Sequence, residues 1–88
     1  MKNLTITILP NELQANYMSI HNCPLALAIK RQLGESVREV YVGGYDVDIY
    51  FRDGSEEFYI FDSDKWNPDI CKEVNILGKP YEVHLTKI

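Results

Sequence analysis

The sequence contains no CxxC pair, no run of Lys or Arg longer than Lys30-Arg31, no internal repeat and no low-complexity tract. It also lacks any apolar stretch approaching the length of a membrane span. Each absence removes a class of function. Two isolated cysteines, Cys23 and Cys71, match neither a thioredoxin-like motif nor a disulfide framework, and read as reduced thiols of a cytosolic protein. Met1-Lys2 leads directly into a strand-like segment without a signal peptide, which fits a cytoplasmic location. Positive charge is scarce: 9 basic against 13 acidic residues give a net charge of −4 and a pI near 5.0. The long-range field therefore has the wrong sign for non-specific nucleic-acid binding or for anionic membranes.

What is present is ordinary for a globular chain. Apolar residues make up 45% and charged residues 25% of 88 positions, enough for one domain with one modest core. A chain this short buries only ~60–65% of its unfolded surface, so its stability is marginal unless subunits associate.

The pattern predicts an α+β domain in the order β-α-β-β-β-α-β, with a mainly antiparallel sheet and both helices on one face. Leu4, Ile6 and Ile8 alternate with threonines and stop at Pro10, which predicts a strand. Residues 11–22 carry no firm period beyond a short helical turn near 13–17. A helix over 23–33 is marked by Asn22 as cap, Pro24 in the first turn, Lys30 and Arg31 near the end and Gly34 as stop. Asn67-Pro68 and Gly78 bracket a second helix over 68–77, with Trp66 packing at the core edge, and Pro80 opens a last strand carrying Tyr81, Val83 and Leu85.

Between the helices lies a meander of strands over 37–42, 45–52 and 55–61, turning at Gly43-Gly44 and Asp53-Gly54. Two-residue turns would place Val42 opposite Tyr45, Val40 opposite Val47, Ile49 opposite Phe58 and Val47 opposite Ile60. Those residues form the core face. The other face then carries Val37, Glu39, Tyr41, Asp46, Asp48, Tyr50, Glu57, Tyr59 and Phe61, with Glu39 opposite Asp48. Exposed aromatics at such density mark a surface that something covers: a second subunit, a partner, or residues 9–22.

Catalytic signals are weak. Cys23 sits at a helix start two residues from His21, which is the arrangement of an activated thiolate, but a free cysteine is more often a small buried hydrophobe. His21, Cys23, Cys71 and His84 have no zinc-site spacing, and His84 alternates with core residues so as to face solvent. Gly43-Gly44 lacks the lysine and the strand-to-helix context of a phosphate loop. The aspartates have no calcium-loop spacing and read as strand, turn and cap residues. No metal, cofactor or catalytic residue is expected.

The segment Asn22-Cys23-Pro24-Leu25-Ala26-Leu27-Ala28-Ile29-Lys30, together with Gly78-Lys79-Pro80-Tyr81-Glu82-Val83-His84-Leu85, resembles a group of small uncharacterised phage and prophage proteins. These have an N-terminal strand, a CP-x-A-x-A helix and a Pro-aromatic C-terminal strand. Phe61-Asp62 does not sit where that group's FD turn would. The resemblance implies a context, a small cytoplasmic protein made inside a bacterial host, and transfers no activity.

The expectation that follows is a non-enzymatic binder that neutralises a host component, such as part of a defence system. Its partner would be a host protein met by the acidic–aromatic face, or a small nucleotide signal sequestered by a homo-oligomer. Tyr41, Tyr50, Tyr59 and Phe61 would make the contact, with Arg38 and Arg52 as the cationic groups. An enzyme using Cys23, or a purely structural phage protein, is the alternative.

Overall fold

The computed structural model describes residues 3–88; Met1 and Lys2 lie outside the described residues. Five strands form one antiparallel sheet: β1 (Asn3–Ile8), β2 (Val37–Val42), β3 (Asp46–Phe51), β4 (Glu56–Ile60) and β5 (Tyr81–Lys87), in spatial order β1-β5-β4-β3-β2. Three α-helices accompany them among the described residues, α1 (Pro10–Leu13), α2 (Pro24–Leu33) and α3 (Pro68–Leu77), and a 3-10 turn over Gly34–Ser36 follows α2. The fold is α+β. The short α1 comes earlier than the expected turn near 13–17, because Pro10 starts it and the Glu12 carboxylate closes back on the Leu9 N–H at 2.9 Å.

α2 packs against both β1 and β2, the two outer strands, so the sheet curls around this helix. Its apolar first half explains why: Leu25, Ala26, Ala28 and Ile29 are wholly buried, and Leu25 and Ile29 are each worth roughly 1.5–3 kcal/mol of transfer free energy. The cap differs from expectation. Cys23 occupies the cap position, and Asn22 instead accepts a hydrogen bond from Lys30 Nζ at 3.4 Å. The start of α3 is as expected, with Asn67 Oδ1 accepting from the Ile70 N–H at 2.9 Å. Trp66 is buried between Tyr17 and Tyr81, its ring 5.8 and 5.7 Å from theirs.

The meander forms, but both of its turns are longer than two residues. Val42 pairs with Val47 and Val40 with Ile49, and the Gly43 N–H donates to the Asp46 carbonyl at 2.8 Å. The Asp46 carboxylate occupies the space where a side chain on Gly43 would lie, so any other residue there would displace it. This slip is by two residues, which leaves the paired side chains from Glu39 to Val42 and from Val47 to Tyr50 on their expected faces, but Tyr45, expected on the core face, falls in the turn and is exposed. A bulge between Val37 and Glu39 takes up Arg38 and turns Val37 inward, where it is buried rather than on the outer face.

The second turn slips by one residue, and the consequence is larger. Phe51 N–H donates to Ser55 O at 2.9 Å across a loop of Arg52, Asp53 and Gly54, with Gly54 at φ +91°. Three-residue hairpins commonly end on such a positive-φ residue. Asp48 then pairs with Phe58 and Val47 with Tyr59, so every side chain of β4 exchanges faces. Tyr59 and Phe61 are buried in the core, whereas Phe58 and Ile60 point outward.

Candidate interaction face

The helices lie on the concave side of the sheet, and among the described residues no layer covers the convex side of β2, β3 and β4. Residues 9–22 stay on the helix side: Leu13 is buried in the core and Tyr17 packs on Trp66. Only His21 reaches the outer rim. Its ring lies 4.4 Å from that of Tyr41, and its Nδ1 is 3.0 Å from Glu39 Oε1, at ion-pair distance but without hydrogen-bond alignment.

The strand register sets the rows of this face. Tyr41, Asp48 and Phe58 form one row, Glu39, Tyr50 and Glu56 the next, and Asp46 and Ile60 a third that continues to Thr86. In the first two rows aromatic groups therefore alternate with carboxylates across the strands, while along β3 Asp46 and Asp48 are neighbours, as are Phe58 and Ile60 along β4. The expected pairing of Glu39 with Asp48 does not occur; each carboxylate stands opposite a tyrosine, which removes the like-charge cost. Tyr41 and Tyr50 meet edge to face at 5.4 Å, and Arg38 Cζ lies 6.0 Å from the Tyr50 ring centre. Desolvation among these neighbours, followed by the fields of Glu56 and Asp48, pushes the Tyr50 hydroxyl above its ordinary pKa.

Of the six residues expected to bind, Tyr41, Tyr50 and Arg38 come together here. Tyr59 and Phe61 do not, being core residues, and Tyr59 donates its hydroxyl to Glu57 Oε1 at 2.7 Å. Arg52 lies at the far end of the hairpin, with Nε donating to the Glu35 carbonyl at 2.7 Å. Phe58, at 41% exposure, and Ile60, at 40%, take the places assigned to Tyr59 and Phe61. His21 joins the face by a route that no strand periodicity could reveal.

The sites weighed for chemistry resolve differently. Cys23 and Cys71 are buried free thiols, and burial pushes both above the usual thiol pKa, against the smaller lowering that backbone N–H groups of α2 give Cys23. The His21 ring is engaged with Glu39 and Tyr41 rather than with Cys23. His84 is exposed, its Nδ1 3.1 Å from Thr5 Oγ1. Among the described residues, no three His, Cys, Asp or Glu side chains converge as a metal site would need. No helix among them is long and apolar enough to cross a membrane. Comparison with family models, with curated proteins and with solved structures finds no match to this chain.

Proposed function

We propose that this protein is a non-catalytic binder that docks the convex face of β2, β3 and β4 onto a partner protein bearing a basic, partly apolar surface. One observation carries the reading: Phe58 and Ile60 stand about 40% exposed on the same face as Tyr41 and Tyr50, interleaved with Glu39, Asp46, Asp48 and Glu56. The resemblance to small phage proteins makes a host component, such as part of a defence system, the class of partner that fits.

Magnitudes favour a protein over a nucleotide. Each large side chain has less than half of its area left to bury, or on the order of 1 kcal/mol. Association costs at least ~4 kcal/mol, so the contact has to be broad and the partner has to contribute anchors of its own. Phosphate would need free cations, and three of the four basic residues that the sequence offered for it are engaged elsewhere. Arg31 pairs with Glu12 at 3.0 Å, Lys30 Nζ donates to the His21 carbonyl at 2.7 Å, and Arg52 is tied to Glu35. Arg38 lies over the Tyr50 ring, in a depression it shares with Glu39.

Native mass spectrometry of the protein purified from a bacterial cell, alongside Tyr41→Ser/Phe58→Ser, tests this. A protein partner retained by the wild type and lost by the folded variant supports the reading. A retained nucleotide, or a bare monomer in both samples, overturns it.

A further inference from the structure

We infer that the notch between β4 and β5 receives an extended polypeptide segment of a partner protein as an added strand. This site adjoins the convex face and shares Ile60 and Thr86 with it. β5 pairs with β1 at six consecutive positions, from Thr86 opposite Asn3 to Tyr81 opposite Ile8. With β4 it pairs only at Lys87 and Thr86. The chain leaves the sheet after Phe61, because Asp62 starts a turn in which Lys65 and Trp66 donate their N–H groups to its carbonyl at 3.0 and 3.1 Å. The notch that results has a volume of about 750 Å³.

The main-chain direction within the notch follows from one bond. Ile88 N–H donates to Phe58 O at 3.0 Å, so the even-numbered residues of β5 turn their backbone groups toward β4. Successive residues of an antiparallel strand point these groups to opposite sides. His84 and Glu82 therefore present N–H and C=O into the notch, and among the described residues no partner takes any of the four. Donors and acceptors repeating along a strand at this spacing are complementary to one chemistry, an extended peptide main chain. A residue of the incoming segment opposite Val83 would point inward onto Val83 and Phe61, which calls for an apolar side chain. Its neighbours would point outward beside His84 and Glu82. Asp62, Lys65, Glu82 and His84 carry mixed charge, so selectivity rests on the main chain and the inward pocket.

The outer edges of the sheet are less open to such addition. On β1 the Gln32 side chain bonds Thr5 O and Thr7 N–H, and Arg31 Nη2 donates to Thr7 O. On β2 the Val42 N–H donates to Ile20 O at 2.9 Å.

The test is selection from a displayed library of random heptapeptides, followed by amide hydrogen exchange of the full chain with the selected peptide. Selected peptides should share an apolar position, and binding should slow exchange at Glu82 and His84. His84→Ala removes the imidazole and its contact with Thr5, while His84→Pro removes the N–H that faces the notch as well; the proline variant should bind about tenfold more weakly than the alanine one, the scale of one hydrogen bond. N-methylation of alternate peptide bonds should do the same without touching the protein's fold. A selection that returns nothing above background overturns the inference, as do peptides that tolerate N-methylation or leave those two amides unchanged. Protection that rises with protein concentration alone also overturns it, since the occupant would then be a second copy.

Discussion

Gln32 closes the free edge of β1 by bonding Thr5: its Nε2 donates to the Thr5 carbonyl at 2.7 Å, while its Oε1 accepts from the Thr7 N–H at 3.1 Å. A side-chain amide thus stands in for the main chain of a neighbouring strand. The position of α2 across the concave face makes this possible. An unprotected edge is a template for association with other chains, and a glutamine amide satisfies it without adding a strand.

Replacing Gln32 with Leu should therefore have two effects. Stability should fall by ~1 kcal/mol, the net worth of exposed backbone hydrogen bonds returned to water. Self-association should rise, because Thr5 O and Thr7 N–H become available to another chain. Urea unfolding reads the first effect and sedimentation the second. A stable, monomeric Gln32→Leu would mean that the amide is incidental.

Tyr59 gives a second expectation, at high pH. Burial comes first, and the carboxylate that accepts its hydroxyl proton adds to it, so its folded pKa lies well above the ordinary tyrosine value. In the unfolded chain it ionises near ~10. Above that pH the unfolded state holds fewer protons than the folded one, so stability present below pH ~10 is lost as pH rises. Urea midpoints between pH 8 and 11 should fall steeply in the wild type and less steeply in Tyr59→Phe. Equal slopes would show that Tyr59 is not the group responsible.

The same residue marks where the sequence ceased to be legible. Helix bounds, strand order along the chain and the apolar core of α2 follow from local signals: prolines at helix starts, glycines at their ends, alternation in strands. Loop length at Asp53-Gly54 does not, because that dipeptide serves a two-residue turn and also the end of a three-residue one. One residue of slip exchanged Tyr59 and Phe61 for Phe58 and Ile60. Either set fits an alternating strand, so only the loop could decide. At Gly43-Gly44 the error was two residues and left the faces of the paired residues intact, which is why Tyr41 and Tyr50 were placed correctly. Val37 was misplaced for another reason, since nothing local announces the bulge at Arg38.

The thiols allow a third prediction. With both pKa values raised by burial, neither Cys23 nor Cys71 should react with a thiol reagent at neutral pH on the timescale of an exposed cysteine. Cys23→Ala should cost ~1 kcal/mol for the lost buried volume and leave binding by the folded fraction unchanged. Fast labelling of native Cys23 would contradict the buried-thiol reading and return it to consideration as a nucleophile.

The convex face mixes two kinds of contact, and they should separate kinetically. Asp48 is half-buried between Tyr41 and Phe58, opposite both across the strands, so its charge sits at the middle of the apolar patch. If a basic partner docks there, Asp48→Asn should slow association and flatten its dependence on salt, because steering by surface charge is screened within ~10 Å at 0.1 M ionic strength. Phe58→Ser should act on the other limb, leaving the salt dependence alone and speeding dissociation, since the loss is in buried apolar area. Surface plasmon resonance against the captured partner, from 50 to 300 mM salt, distinguishes the two. A partner whose association is insensitive to both salt and Asp48 would mean that the carboxylates only keep the face soluble. One that ignores Phe58 as well would move the interface off this side of the sheet.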